Sequence, residues 1–275
     1  MITIKNLNFA YKRNRPVLEG LNIGLRPGHI YGLLGKNGEG KTTLLDLLVG
    51  QLFPVSGTCT VSDNIPSQRK ADFLQKVFLL PEDVNLPDVT AAEYKQMYAA
   101  FYPTFREDLW TTCVKEFEIA VGDRLSKMSM GQRKKAAIAL ALSVHTPVLL
   151  MDEPTNALDI PSKAMFRKLV ATCIEDDQTV VISTHQVRDL ESLIDSVLIL
   201  ENHQILLDKG LDEVSGKLFF RLVAHGEPVL YVENTSAGLM GVGENKDNEH
   251  TDVYLELLFQ AVTQNPGEIK RIFNN

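Results

Sequence analysis

The sequence predicts an α/β chain with a mainly parallel sheet core, an N-terminal antiparallel β subdomain, an α-helical insertion and a small α+β C-terminal appendage. Three observations predict it. "HIYGLL" runs as an apolar strand into "GKNGEGKTTLL", a glycine-rich turn followed by an apolar helix. "PVLLMDEP" is a continuous apolar run ending in two carboxylates, as a strand buried on both faces would. Beyond it, strand-like and helix-like stretches alternate, which implies parallel pairing.

Taken in order, residues 2–9 and 17–25 alternate apolar and polar as antiparallel strands do, with "KRNRP" as the turn between them. "HIYGLL" is the third strand, the helix after the glycine turn ends near Gly50, and "GTCTVSD" is another short strand. From about 84 to 140 the character changes. "AAEYKQMYAAFY" and "REDLWTTCVKEFEI" have helical spacing, and Asp88 and Thr90 are cap candidates for the first. After "PVLLMD" come a helix ("SKAMFRKLVATCI"), a strand ("TVVIS"), a helix ("VRDLESLI") and two strands ("SVLIL" and "QILL"). Past residue 210 the pattern loosens. "LFFRLVAHGEPVLYVEN" reads as a hairpin around "HGEP", and "GENKDNEH" as a polar link. In "DVYLELLFQAVTQ", Leu255, Leu258, Phe259 and Val262 form one helical stripe. The expected division is residues 1–210 as the main domain and 211–275 as the appendage.

Composition narrows the function classes. With 44% hydrophobic and 23% charged residues, the 275-residue chain can bury a core and stay soluble. Its 28 basic and 35 acidic side chains leave a net charge of −7, which argues against sequence-independent nucleic-acid binding. No apolar run approaches the ~20 residues that span a bilayer, and "MITIKNLNFAYKRNR" lacks the apolar core of a secretory signal. Cys59, Cys113 and Cys173 are widely spaced and odd in number, so buried neutral thiols are expected. A cytosolic protein follows.

The chemistry lies in the glycine turn. Gly35, Gly40, Lys41 and Thr42 fit G-x-x-x-x-G-K-[ST], the pattern of a phosphate-binding loop. Gly35, Gly38 and Gly40 let the backbone turn and aim N–H groups at phosphate oxygens. Lys41 supplies a point charge for the outer phosphates, and the Thr42 hydroxyl suits Mg²⁺. The helix that follows adds its positive end. ATP is therefore expected across Gly35, Lys36, Asn37, Gly38, Glu39, Gly40, Lys41, Thr42 and Thr43. Asp152 and Glu153, at the end of a buried strand, point in different directions and divide the labour. Asp152 is read as the Mg²⁺ residue and Glu153 as the base that prepares the attacking water. His185 ends the next strand, on the edge where ligands gather, and is placed to touch the γ-phosphate.

At "MSMGQRKKAAIALAL" the chain resembles the ATP-binding subunits of ABC transporters, within the P-loop NTPase fold. Met128, Ser129, Met130, Gly131 and Gln132 fall where that family has Leu-Ser-Gly-Gly-Gln. The resemblance covers residues 2 to 210 and is most like exporter-type subunits of bacteria. It implies that Ser129, Gly131 and Gln132 face ATP held by a second ATPase subunit, identical or closely related. It also makes Asp159 part of the loop coupling two sites, His185 the switch histidine, and Tyr11 the ring that stacks on adenine. Two positions depart from the family: Met130 replaces a glycine, and Glu82 in "LLPEDVNL" stands where a glutamine senses Mg²⁺ and the membrane partner. A carboxylate there remains a hard ligand for Mg²⁺. The implied function is ATP hydrolysis that powers an integral membrane permease carried on a separate chain, with this subunit cytoplasmic and peripheral on the inner face of the membrane. A soluble ABC-type ATPase acting in translation or DNA repair is the alternative, and a phosphate-loop kinase is a third reading.

Overall fold

The structure, a computed structural model, describes residues 1–13 and 15–274. Strands β1 (Ile2–Lys12) and β2 (Arg15–Leu25) pair antiparallel, running further into "KRNRP" than the alternation predicted; Asn14 of that turn lies outside the described residues. Strand β3 (His29–Leu34) delivers the chain to helix α1 (Lys41–Leu48), and β4 (Ser56–Val61) returns to β1. Helix α2 (Ala71–Leu74) leads to β5 (Val77–Leu80), a four-residue strand too short to be read from its own pattern. The insertion carries α3 (Ala91–Ala99) and α4 (Glu107–Glu116) and joins α5 (Met130–Ser143). Thr90 caps α3 in a box with Glu93, whereas Asp88 instead pairs with Ser126 and Arg124.

The α/β alternation continues with β6 (Val148–Asp152), α6 (Ile160–Cys173), β7 (Thr179–Thr184), β8 (Ser196–Glu201) and β9 (Gln204–Gly210). The main sheet has the order β5-β6-β7-β3-β8-β9, with β9 alone antiparallel to its neighbour. Its side chains alternate between two apolar clusters. Val148 and Leu150 of β6 face the N-terminal sheet and α1, while Leu149 and Met151 face α5 and α6. Fully buried side chains such as Phe73, Phe166 and Leu33 each stabilise the fold by roughly 1.5–3 kcal/mol.

The "VRDLESLI" helix is not formed. Val187–Asp189 makes one 3₁₀ turn, and Leu190 and Ile194 reach the core from irregular turns. Burial of Leu190, Leu193 and Ile194 in the core, rather than helical spacing, decides the path of residues 185–195 between β7 and β8.

After β9 come α7 (Leu211–Lys217), β10 (Leu218–Leu222), β11 (Tyr231–Thr235), β12 (Gly238–Glu244), α8 (Leu255–Gln264) and α9 (Pro266–Asn274). The "HGEP" hairpin is also corrected. β10 and β11 do not pair with each other; β12 lies between them, in the order β10-β12-β11. The tight turn is at Ser236–Ala237, where Thr235 pairs with Gly238, because the "HGEP" link is too long for a two-residue hairpin. Leu218, Phe220, Val242 and the α8 stripe join the same apolar cluster as α5 and α6.

Candidate functional site

Parallel pairing brings three strand ends to one edge. Leu34 lies level with Thr184 of β7, and Asp152 with Ser183, so the glycine loop, the two carboxylates and His185 emerge side by side. Gly40 takes the left-handed conformation (φ +102°) as the N-cap of α1. The first amide to bond back along the helix is that of Leu44, to the Gly40 oxygen at 2.9 Å. Helix geometry thus leaves the amides of Lys41, Thr42 and Thr43 for an anion.

Tyr11, Asn37, Gly38, Gly40, Lys41, Thr42, Thr43, Glu82, Asp152 and Glu153, all singled out in the sequence, line one cavity of about 380 Å³. Lys41 Nζ donates to the carbonyls of Gly35 (2.7 Å) and Lys36 (3.2 Å) and lies 3.6 Å from Glu153. Thr42 Oγ1 donates to Asp152 Oδ2 at 2.6 Å, and the other Asp152 oxygen accepts from Ser183 Oγ. This adjacent hydroxyl and buried carboxylate are the hard oxygen donors that suit Mg²⁺.

Glu153 is 3% exposed, and its backbone is left-handed (φ +43°). A non-glycine residue held there stores strain that the surrounding hydrogen bonds must offset. Glu153 Oε1 accepts from the His185 amide (2.9 Å) and lies 2.8 Å from His185 Nδ1, while Oε2 accepts from Thr184 Oγ1 (3.1 Å). Tyr11 stands exposed at the mouth, edge-on to Phe9, with its hydroxyl 3.1 Å from Thr43 Oγ1. Glu82 Oε1 accepts from Asn156 Nδ2 at 2.7 Å.

Other predicted residues lie elsewhere. Ser129 caps α5 in a box with Gln132, and neither lines the cavity; Met130 is exposed beside them. Gly131 approaches Ala157, whose carbonyl would be 3.0 Å from an added Cβ. Asp159 caps α6 by accepting from the Ser162 amide at 2.9 Å, and the Ser162 hydroxyl together with that amide holds its carboxyl below the usual range. The Lys36 side chain turns away to pair with Glu201 at the end of β8.

The sequence reading missed Ser183 and Thr184, the residues that hold Asp152 and Glu153. Their position directly before His185 in "ISTHQ" was the available signal. It also missed Lys134, Asn156 and Glu201.

Comparison with known proteins bears on the family. The chain is 28% identical to the ABC transporter ATP-binding protein NatA of Bacillus subtilis (strain 168), over 78% of this chain and 91% of the relative. It is also 28% identical to the Nod factor export ATP-binding protein I of Cupriavidus metallidurans, covering 79% of this chain and 71% of that one. Among solved structures, an ATP-binding subunit of an ABC transporter superposes with a TM-score of 0.71 at 22% identity, over 78% and 91% of the two chains. A dimeric cassette, MJ0796, gives 0.67 at 25% identity, over 77% and 99%. These relatives are named as transporter ATP-binding proteins, which favours transport over translation or DNA repair. The ABC transporter family model matches residues 18–156, half of the chain, and the chain belongs to that family as one of its ATP-binding subunits.

Proposed function

We propose that this chain binds MgATP at the loop 35–43, hydrolyses it between two cassettes and passes the resulting motion to an integral membrane permease. One observation carries this reading: Lys41, Thr42, Asp152 and Glu153 converge on a single cavity at the C-terminal edge of the sheet. Lys41 and the amides at the start of α1 bind the triphosphate. Thr42 and Asp152 are the residues that would hold Mg²⁺, which supplies charge neutralisation when bound. Glu153 orients a water and accepts its proton, once His185 and Lys41 release the carboxylate they hold in this state. Tyr11 stacks on the adenine.

A second copy, or a close relative, completes the site. Ser129, Gly131 and Gln132 sit at the N-terminus of α5, outside the cavity of their own chain. An α-helix N-terminus attracts anions, so these residues suit a phosphate presented by a partner. The dimeric form of MJ0796 supports the arrangement.

The permease partner is assigned to an apolar groove of about 480 Å³ lined by Phe78, Leu80, Pro81, Val84, Leu86 and Phe101. Phe101 is 70% exposed there, and the loop forming one wall carries Glu82 of the nucleotide cavity. A segment seated in this groove thus shares a loop with the ATP site. Among the described residues no helix is long and apolar enough to cross a membrane. In this reading the permease holds the chain peripherally, on the cytoplasmic face.

The test is Glu153→Gln. The amide keeps the shape but cannot accept a proton, so turnover should fall by about 10²–10⁴-fold while ATP still binds. With ATP the variant should elute as a dimer in gel filtration. Turnover at the wild-type rate would refute the assignment of Glu153.

A further inference from the structure

In "GQRKKAA" three basic residues follow one another, and a solvated face is the ordinary expectation. The middle one is not solvated. Lys134 is 3% exposed, and its ammonium donates to the carbonyls of Glu82 (2.9 Å) and Pro81 (3.3 Å). Burial lowers the group to about 8 against the opposing pull of the Glu82, Asp152, Asp83 and Glu153 charges. A buried cation is costly unless it is paired and hydrogen-bonded. Here its partners are the backbone of one loop and the carboxylates around the nucleotide cavity.

The same loop is held from its other side. Asn156 Nδ2 donates to the Glu82 carboxylate at 2.7 Å, and Asn156 Oδ1 accepts from Gln186 Nε2 at 3.3 Å. Gln186 Oε1 in turn accepts from Lys163 Nζ at 2.9 Å. A continuous run of hydrogen bonds therefore links α5 to the Glu82 loop, the loop after Glu153, the loop after His185 and α6. Its first member sits one turn inside the helix whose N-terminus is Ser129.

We propose that Lys134 is a positioning residue of the nucleotide site: it fixes the Glu82 loop to α5, and its charge offsets the carboxylate that this chain carries at position 82. The role rests on the nucleotide site proposed above. The Glu82, Asp152 and Glu153 carboxylates that line the cavity repel an incoming triphosphate, and the buried Lys134 cation interacts with all three. Because the ammonium is hydrogen-bonded to that loop, a shift of α5 on meeting a partner's ATP displaces Glu82 with it.

The test is ATP affinity across a Mg²⁺ series, chelator included, for the wild type, Lys134→Met, Glu82→Gln and the double variant. Lys134→Met should lose about tenfold in ATP affinity in chelator but less than about threefold at saturating Mg²⁺, where the metal takes over the neutralisation. Glu82→Gln should recover most of that loss in the double variant. A purely structural lysine would weaken binding equally at both metal levels, with no recovery by Glu82→Gln, and that result overturns the proposal. Lys134→Gln keeps a donor without the charge and serves also if Lys134→Met does not fold. It should follow Lys134→Met; wild-type behaviour would overturn the electrostatic role. A wild type that binds no ATP even with Mg²⁺ would instead refute the nucleotide site itself, and with it the ground for this role.

Discussion

Gly35 has no positive φ, yet it has no room for a side chain. An added Cβ would lie 2.6 Å from the Leu200 carbonyl oxygen and 3.6 Å from Lys41 Cδ. The Leu200 oxygen is backbone, in a buried strand paired on one side to β3 and on the other to β9. Ordinary contact begins near 3.4 Å, so Gly35→Ala requires roughly 0.8 Å of separation. The strand is pinned by two ladders, so the loop is the part that moves. Lys41 moves with it, because its ammonium donates to the Gly35 carbonyl at 2.7 Å. Overpacking of this kind costs about 1–3 kcal/mol of stability. A displacement near 1 Å of groups that must meet a ligand costs on the order of 10²-fold in function. We expect ATP affinity to fall by about that factor, measured by titration calorimetry in Mg²⁺, with a lowered Tm. Gly38→Ala is the control: Gly38 has φ +89° and nothing within 4 Å of the added atom, so only backbone strain opposes the substitution. That strain is about 1–2 kcal/mol, and affinity should fall by less than about tenfold. If Gly35→Ala binds ATP as the wild type does and melts at the same temperature, the close-approach reasoning is wrong.

Two other outcomes follow from the geometry. Tyr11→Ala should weaken ATP binding by about 1–2 kcal/mol, the worth of one stacked base, while Tyr11→Phe should stay near wild type; equal affinities for all three in an ATP titration would remove Tyr11 from the adenine site. A chain ended after Gly210 loses Val214, Leu218, Phe220, Val242 and the α8 stripe from a shared apolar cluster, so its Tm should fall sharply. Any fraction that stays folded should retain ATP binding, because the cavity-lining residues lie upstream; a stable truncated chain that binds no ATP would refute that.

Local signals account for what was legible. The glycine loop, the strand that feeds it and the buried strand ending in Asp152–Glu153 are contiguous stretches whose residue types state their own geometry. Capping by Thr90 and burial of Leu255, Leu258, Phe259 and Val262 follow from spacing in the same way. The misreadings share a cause. "VRDLESLI" has a helical pattern, but the packing of Leu190, Leu193 and Ile194 into the core overrides it. "HGEP" has turn residues, but strand partners depend on β12, which comes later in the chain.

By itself the sequence determined the fold class, the glycine loop and the carboxylate pair, because each is written in neighbouring residues. Only the tertiary structure decided what lies across those neighbours. It set Ser183 and Thr184 against the carboxylates, turned Lys36 toward Glu201, and buried Lys134 out of an apparently solvated basic run. A lysine's fate depends on which loop covers it, and that loop, Pro81–Glu82, lies some fifty residues away in the chain. Burial and pairing at such separations are properties of packing, which no short stretch of residues encodes.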